Sequence, residues 1–253
     1  MILYLAKNKV IQYKHYFEYG IEQNLQRGLL RWYGKNHRGG GKVDLIVTDP
    51  PYLQQNGSGA KTSEIAQRIP IKKIDFISKD FDWERCFDMF LKMQDIPNIL
   101  IFCSARQISR TMSFFEKRGL SVTLLVWEKT NPIPLGNNKH LSDLEYIVYA
   151  RGDGATFNND VPISYKKKLY RSSVVDSKNR VHPTQKSVDH IRQYILLHSK
   201  PNDIVFDPFM GSGTTALAAI KEGRQFLGFE LEKGYYDIAS ERINNLRSQQ
   251  TLF

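Results

Sequence analysis

Only two cysteines occur in the 253 residues, Cys86 in RCFD and Cys103 in FCSA, and they have no metal-ligand spacing. That argues against a disulfide framework and against a structural zinc site, and the expected setting is cytoplasmic with no metal. Acidic residues are also scarce. There are 26 Asp and Glu against 36 Lys and Arg, a formal net charge of +10. A balance of this sign favours a polyanionic partner, although it would also suit an anionic membrane surface. No apolar run reaches the length of a membrane span. The opening MILYLAKNKV is too short and too polar for a signal peptide, so no membrane partner is expected.

The positive charge is concentrated in two segments. Residues 1–42 hold eight Lys or Arg against Glu18 and Glu22, and residues 151–186 hold eight against Asp153, Asp160 and Asp176. Taken singly, each lysine reads as a solubilising group. Two such segments in a basic chain make nucleic acid the natural partner, with phosphates supplying salt-sensitive affinity.

Hydrophobic periodicity alternates between strand and helix. Strands are expected at Val43–Thr48, Asn98–Cys103, Val122–Trp127, Glu145–Ala150, Ile204–Phe206 and Gln225–Phe229. Helices are expected at 21–33, 82–93, 107–118, 187–198, 214–222 and 235–247. Residues 53–80 and 151–181 carry little periodicity. This alternation predicts an α/β fold with a mostly parallel sheet, whose ligands sit beyond the carboxyl ends of the strands.

Two clusters fall at such ends. The first is DPFMGSGTT, which puts Gly211 and Gly213 between a strand and a helix, with Asp207 before them and Glu230 ending the next strand. Glycine permits a tight turn and a close backbone approach. An acid at the end of the next strand can accept from a ribose diol. The turn lacks the third glycine of a dinucleotide site and the lysine of a P-loop. A nucleoside with a sulfonium needs neither, and Asp207 could lie near its positive end. Taken alone, the turn would read as a helix cap.

The second cluster is Asp49-Pro50-Pro51-Tyr52. Asp49 and the carbonyl of Pro50 can accept both hydrogens of an exocyclic amine, and Tyr52 can stack on a planar base. The amine of adenine is a poor nucleophile because its lone pair is delocalised, and directional acceptors favour the state in which its nitrogen becomes positive. Such contacts require a base flipped out of the duplex. The bland reading is a rigid turn with an incidental aromatic.

With these motifs in this order, residues 43–247 resemble the DNA amino-methyltransferases, which modify exocyclic base amines with S-adenosylmethionine. DPPY matches the family's catalytic motif, and VWEKTNPIP (126–134) a segment near the target base. HPTQK (182–186) matches the segment before the cofactor strand, DPFMGSGTT (207–215) the cofactor loop, and FLGFELEKGYY (226–236) the ribose-binding strand. The catalytic motif comes first, as in the β-type permutation.

The resemblance implies a Rossmann-like fold with a seven-stranded, mostly parallel sheet and one reversed strand, in a single domain over 1–253. It implies catalytic roles for Asp49, Pro50, Pro51 and Tyr52. It implies cofactor contacts from Asp207, Phe209, Gly211, Ser212, Gly213, Thr214, Glu230 and Lys186. It places Trp127, Lys129 and Asn131 near the target base, and Lys166, Lys167, Lys168, Arg171 and Arg180 on DNA. Residues 53–80 are expected as a mobile DNA-contacting loop and 136–181 as a short recognition region.

The implied partner is double-stranded DNA. Homodimers and pairing with a restriction endonuclease are common in the family. Asp at the first tetrad position matches the adenine-N6 enzymes, whereas the cytosine-N4 enzymes mostly carry Ser there. Neither cysteine lies in the Pro-Cys motif of carbon-5 enzymes. One departure stands out: Lys14, His15 and Tyr16 lie where relatives carry an acid that holds the cofactor's adenine. The alternatives are therefore a cytosine-N4 enzyme or a DNA-binding remnant.

Overall fold

The computed structural model describes residues 2–6, 9–13, 42–50, 82–132, 140–175 and 185–250. Its strands, in chain order, are β1 (Ile2–Ala6), β2 (Lys9–Tyr13), β3 (Leu45–Thr48), β4 (Asn98–Cys103), β5 (Ser121–Lys129), β6 (Leu144–Arg151), β7 (Leu169–Ser172), β8 (Ile204–Asp207) and β9 (Gln225–Phe229). Its helices are α1 (Trp83–Lys92), α2 (Ile108–Glu116), α3 (Val188–His198), α4 (Thr214–Lys221) and α5 (Lys233–Gln250).

All nine strands form one sheet, ordered β2-β1-β9-β8-β3-β4-β6-β5-β7. From β9 to β7 this is the expected seven-stranded sheet with one reversed strand. β9, β8, β3 and β4 pair in parallel. β6 runs against both β4 and β5, and β7 pairs in parallel with β5. The β1–β2 hairpin adds two strands beyond β9, with β1 antiparallel to it.

The sheet is covered on both faces, which explains why its central strands are apolar at every position. β3 and β4 are buried throughout. Leu100 and Phe102 pack on one face with Ile191, Tyr194 and Ile195 of α3 and Leu217 of α4. Ile99 and Ile101 pack on the other with Trp83, Phe87 and Phe90 of α1 and Phe114 and Phe115 of α2. Asp82 caps α1 by accepting from the Arg85 amide at 3.0 Å. Beyond α2 the chain turns at Gly119, where φ is +78°.

Within 136–181, the expected recognition region, Leu144–Arg151 is β6, the reversed strand of the sheet. The weakly periodic stretch that follows contains a 3-10 turn (Ile163–Lys166) and the edge strand β7. The helix expected at 21–33 and the loop 53–80 lie outside the described residues.

Candidate active site

Asp49 follows the last residue of β3, and the parallel pairing of β3 with β8 sets it beside the Gly-rich turn. The join is covered by side chains. Thr48 donates from its hydroxyl to Oδ1 of Asp207 at 2.8 Å, and Thr215 donates to Oδ2 at 2.7 Å. The Phe209 amide donates to Oδ1 at 3.1 Å. Asp207 is thus a buried tie between β3, β8 and α4, with both carboxylate oxygens engaged inside the protein. Burial, with some repulsion from Asp49, raises its pKa to about 6 against three opposing hydrogen bonds.

The turn after β8 has Gly211 at φ +51° and Gly213 at φ +80°, in the left-handed region. A Cβ on Gly213 would stand 3.0 Å from Cβ of Ala239 on α5, so this glycine also serves helix packing. Ser212 and Thr214 are buried, and Phe209 is half-buried. Glu230 follows β9 and accepts from the amide of Glu232 at 2.8 Å, with Leu231 and Gly211 amides also facing it. Burial outweighs these amides and raises its pKa to about 7. A carboxylate held at a strand end beside a glycine turn is an acceptor that suits a nucleoside with a ribose diol.

Lys186, expected to contact the cofactor, lies against Asp49. Its Nζ donates to Oδ2 of Asp49 at 2.7 Å and stands 2.7 Å from Oε2 of Glu145. Oε1 of Glu145 pairs with Lys129 Nζ at 2.7 Å. The four side chains form an alternating chain, Lys129–Glu145–Lys186–Asp49. Burial works against the ammonium of Lys186, but Asp49 and Glu145 outweigh it and hold its pKa above the ordinary lysine value. Burial likewise works against Glu145, yet the two lysines hold it well below the usual carboxylate range.

Beneath this chain lies an aromatic floor. The Lys186 ammonium sits 4.9 Å from the ring centre of Phe102 and 6.0 Å from that of Trp127. Trp127 is only 1% exposed. Its indole N–H donates to the Ser172 hydroxyl at 2.9 Å, so it supports the site from below. His190 stacks on Tyr170 at 4.0 Å and shares a 2.9 Å hydrogen bond with the Tyr194 hydroxyl. Burial pushes its pKa down to about 3, so it is neutral.

The remaining expected DNA contacts divide. Lys167 and Lys168 are exposed beside the sheet edge. Lys166 donates to the Asn159 carbonyl at 2.9 Å. Arg171 is committed to Glu128, donating from Nε at 2.9 Å and Nη2 at 2.8 Å. Asn131 accepts from the Val174 amide at 2.8 Å. Pro50 is buried beside Asp49. Pro51, Tyr52 and Arg180 lie outside the described residues, as do Lys14, His15 and Tyr16.

Sequence reasoning passed over Glu145, whose only signal was an acid opening the otherwise apolar strand EYIVYA. It also passed over Arg242 of α5, which donates to Ser212 in the turn.

The chain is similar to four known families or proteins. The family model for N6/N4 DNA methylases, described as a DNA methylase, matches residues 43–241. Type II methyltransferase M2.LlaDCHI of Lactococcus lactis subsp. cremoris is 28% identical over 223 residues, covering 80% of this chain and 82% of its own. Type II methyltransferase M.HinfI of Haemophilus influenzae is 26% identical over 229 residues, covering 81% of this chain and 64% of its own. Among solved structures, the M1.HpyAVI–SAM complex superposes with a TM-score of 0.66 at 28% identity, covering 91% of this chain and 98% of that one.

Proposed function

Because the chain belongs to the N6/N4 DNA methylase family, we propose that it transfers a methyl group from S-adenosylmethionine to the N6 amine of adenine in DNA. The observation that carries this reading is the Asp49 carboxylate, set at the end of β3 and joined through Thr48 to Asp207 beside the Gly-rich turn. Asp at the head of the tetrad favours adenine over cytosine on the family resemblance.

When bound, the cofactor supplies an electrophilic methyl group on its sulfonium. Glu230 would accept from the ribose diol, and the backbone of 209–214 would line the turn around the nucleoside. Asp49 and the Pro50 carbonyl would take the two amine hydrogens of a flipped base, and Tyr52 would stack on its ring. Holding the amine this way fixes the nitrogen for attack and stabilises its developing positive charge. Lys166, Lys167 and Lys168 would meet phosphates, which position a duplex without reading it. Homodimerisation and pairing with a restriction endonuclease belong to the same reading.

The Cys103 thiol is no rival nucleophile. Burial, aided by Asp49, pushes its pKa up to about 12, so it stays protonated at neutral pH.

The test is methyl transfer from labelled S-adenosylmethionine into unmethylated duplex DNA, with the digested nucleosides identified by mass. N6-methyldeoxyadenosine supports the proposal. N4-methyldeoxycytidine would move the base assignment and keep the site. No product, with no cofactor binding by calorimetry, would make the chain a remnant or one that needs a partner. Asp49→Ala should bind DNA as before and transfer no methyl; unchanged turnover in that variant would sink the role of Asp49.

A further inference from the structure

We propose that Lys186 is a positioning residue for methyl transfer, holding the Asp49 carboxylate for the target amine, and that Glu145 anchors Lys186 and offsets its charge. The inference rests on the reading of Asp49 given above.

The geometry comes first. Lys186 Nζ lies 2.7 Å from one oxygen of each carboxylate, and its side chain is 7% exposed. With Lys129 on the far oxygen of Glu145, four buried or half-buried charges alternate and sum to zero. An ion persists inside a protein when it is paired in this way. Such a group does little for stability, because an apolar side chain of similar volume often serves as well. A charged chain laid across Phe102 and Trp127 and ending on the reacting carboxylate has its use at that carboxylate.

Topology explains how the acid gets there. β6 is reversed, so its first residues lie at the end of the sheet where β4 and β5 finish. Tyr146 is opposite Cys103, and Glu145 is opposite Trp127. Only the reversed strand can bring a strand-opening residue to the chemical end. Lys186 enters from the other side, just before α3, where the Ile191 amide bonds back to the Ser187 carbonyl at 3.3 Å.

Chemistry then assigns the roles. Lys186 remains an ammonium, so it is not the base that removes a proton from the amine. It grips Oδ2 of Asp49 and restricts the rotation of that carboxylate, which lowers the cost of orienting the amine. Alone, its charge would oppose the positive charge growing on the attacking nitrogen. Glu145 offsets it, so the Lys186–Glu145 pair adds no net charge beside Asp49.

The experiment compares wild type with Lys186→Met, Lys186→Arg and Glu145→Gln. It reads kcat, KM for DNA, the pH profile of kcat and the cofactor Kd by calorimetry. Lys186→Met should lower kcat about ten- to hundredfold, with KM for DNA and the cofactor Kd unchanged. Its acid limb should move up by about one to three pH units, because Asp49 loses its ammonium neighbour. Lys186→Arg should return the acid limb to the wild-type position. Glu145→Gln should lower kcat without raising the acid limb.

Two further measurements guard the inference. The variant Lys186→Met/Glu145→Gln removes one charge of each sign, leaves Lys129 to balance Asp49, and should show the same upward acid limb if the single variant misfolds. Titration of the Asp49 carboxyl by carbon-13 NMR, assigned with Asp49→Asn, reads the coupling without turnover. An active wild type whose Asp49 titration is unmoved by Lys186→Met overturns this inference alone. A cofactor Kd that rises in step with the loss of kcat also overturns it and returns Lys186 to the cofactor pocket. A wild type that transfers no methyl, yet shows the NMR shift, overturns the proposed function and the transfer role with it.

Discussion

Arg242 on α5 donates from Nη1 to the carbonyl oxygen of Ser212 at 2.6 Å and to its hydroxyl at 3.1 Å. Ser212 stands between Gly211 and Gly213, both in the left-handed region. A turn with two such glycines has much freedom to lose on binding a ligand. A guanidinium fixed on its middle residue removes part of that freedom in advance. Arg242→Met should therefore weaken cofactor binding. A hydrogen bond to a charged group contributes about 1.5–3 kcal/mol, so the rise in Kd should be about tenfold or more. Calorimetry with S-adenosylmethionine checks this, and an unchanged Kd would show that the turn holds itself.

Cofactor affinity should also depend on pH through Glu230. Burial raises its pKa to about 7. Below that pH the carboxyl is mostly protonated, and only the ionised form can accept from both hydroxyls of a diol. Affinity should increase as pH rises through about 7 and then level off, with Kd falling by up to about tenfold per unit on the acid side. The same measurement on Glu230→Gln should give weaker binding and a flat profile. A wild-type Kd constant from pH 6 to pH 8 would show that the Glu230 carboxyl does not titrate in that window, and an affinity unchanged in Glu230→Gln would remove it from the ribose site.

The parts of this molecule that could be read in its sequence are those whose cause is local. Strand β4 is apolar at five of its six positions, is buried on both faces and follows Pro97, so its limits can be read residue by residue. β7 could not be read this way. It is an edge strand of four residues behind three lysines, with Leu169 and Arg171 exposed, so its pairing with β5 leaves little hydrophobic pattern. The same division runs through the site. Asp49, Gly211, Gly213 and Glu230 sit in short motifs whose chemistry is carried by neighbours in sequence. Lys186 meets Asp49 across 137 positions, and Glu145 reaches both lysines only because β6 is reversed. No local pattern encodes a contact made by strand order.

His198 ends α3 and is buried between Tyr149, 4.2 Å away by ring centres, and Phe157, at 5.5 Å. Burial pushes its pKa down to about 3 from 6.5, and the nearby Arg151 adds to this against a hydrogen bond with the Thr156 backbone. The folded state therefore refuses a proton that the unfolded chain accepts below about pH 6.5. Between those values the unfolded state binds more protons, so stability falls as pH falls. Asp207, raised to about 6, has the opposite sign over the window from about pH 4 to 6, so the net slope of the wild type is a balance. A variant isolates the histidine. In His198→Phe, urea unfolding from pH 6 to pH 4.5 should lose less stability than wild type, by up to about 1.4 kcal/mol per pH unit. Parallel pH profiles would show that His198 is protonated in the fold.

Gly213 has two separate reasons to be glycine, and they can be separated by mutation. Its φ of +80° is unfavourable for any residue with a Cβ, at about 1–2 kcal/mol. A Cβ there would also stand 3.0 Å from Cβ and 3.3 Å from Cα of Ala239. Both atoms belong to a helix that cannot shift without disturbing Tyr236 and Ile243, which are buried in the same core. Gly213→Ala should lower stability by more than the backbone term alone. Ala239→Gly removes the closer atom at a helix cost of about 1 kcal/mol. The double variant should therefore be more stable than the sum of the two single losses implies, while remaining below wild type because the left-handed strain persists. Urea unfolding of the four proteins measures this coupling. Strict additivity would mean that α5 moves aside freely, and that only the backbone conformation of the turn requires glycine at this position.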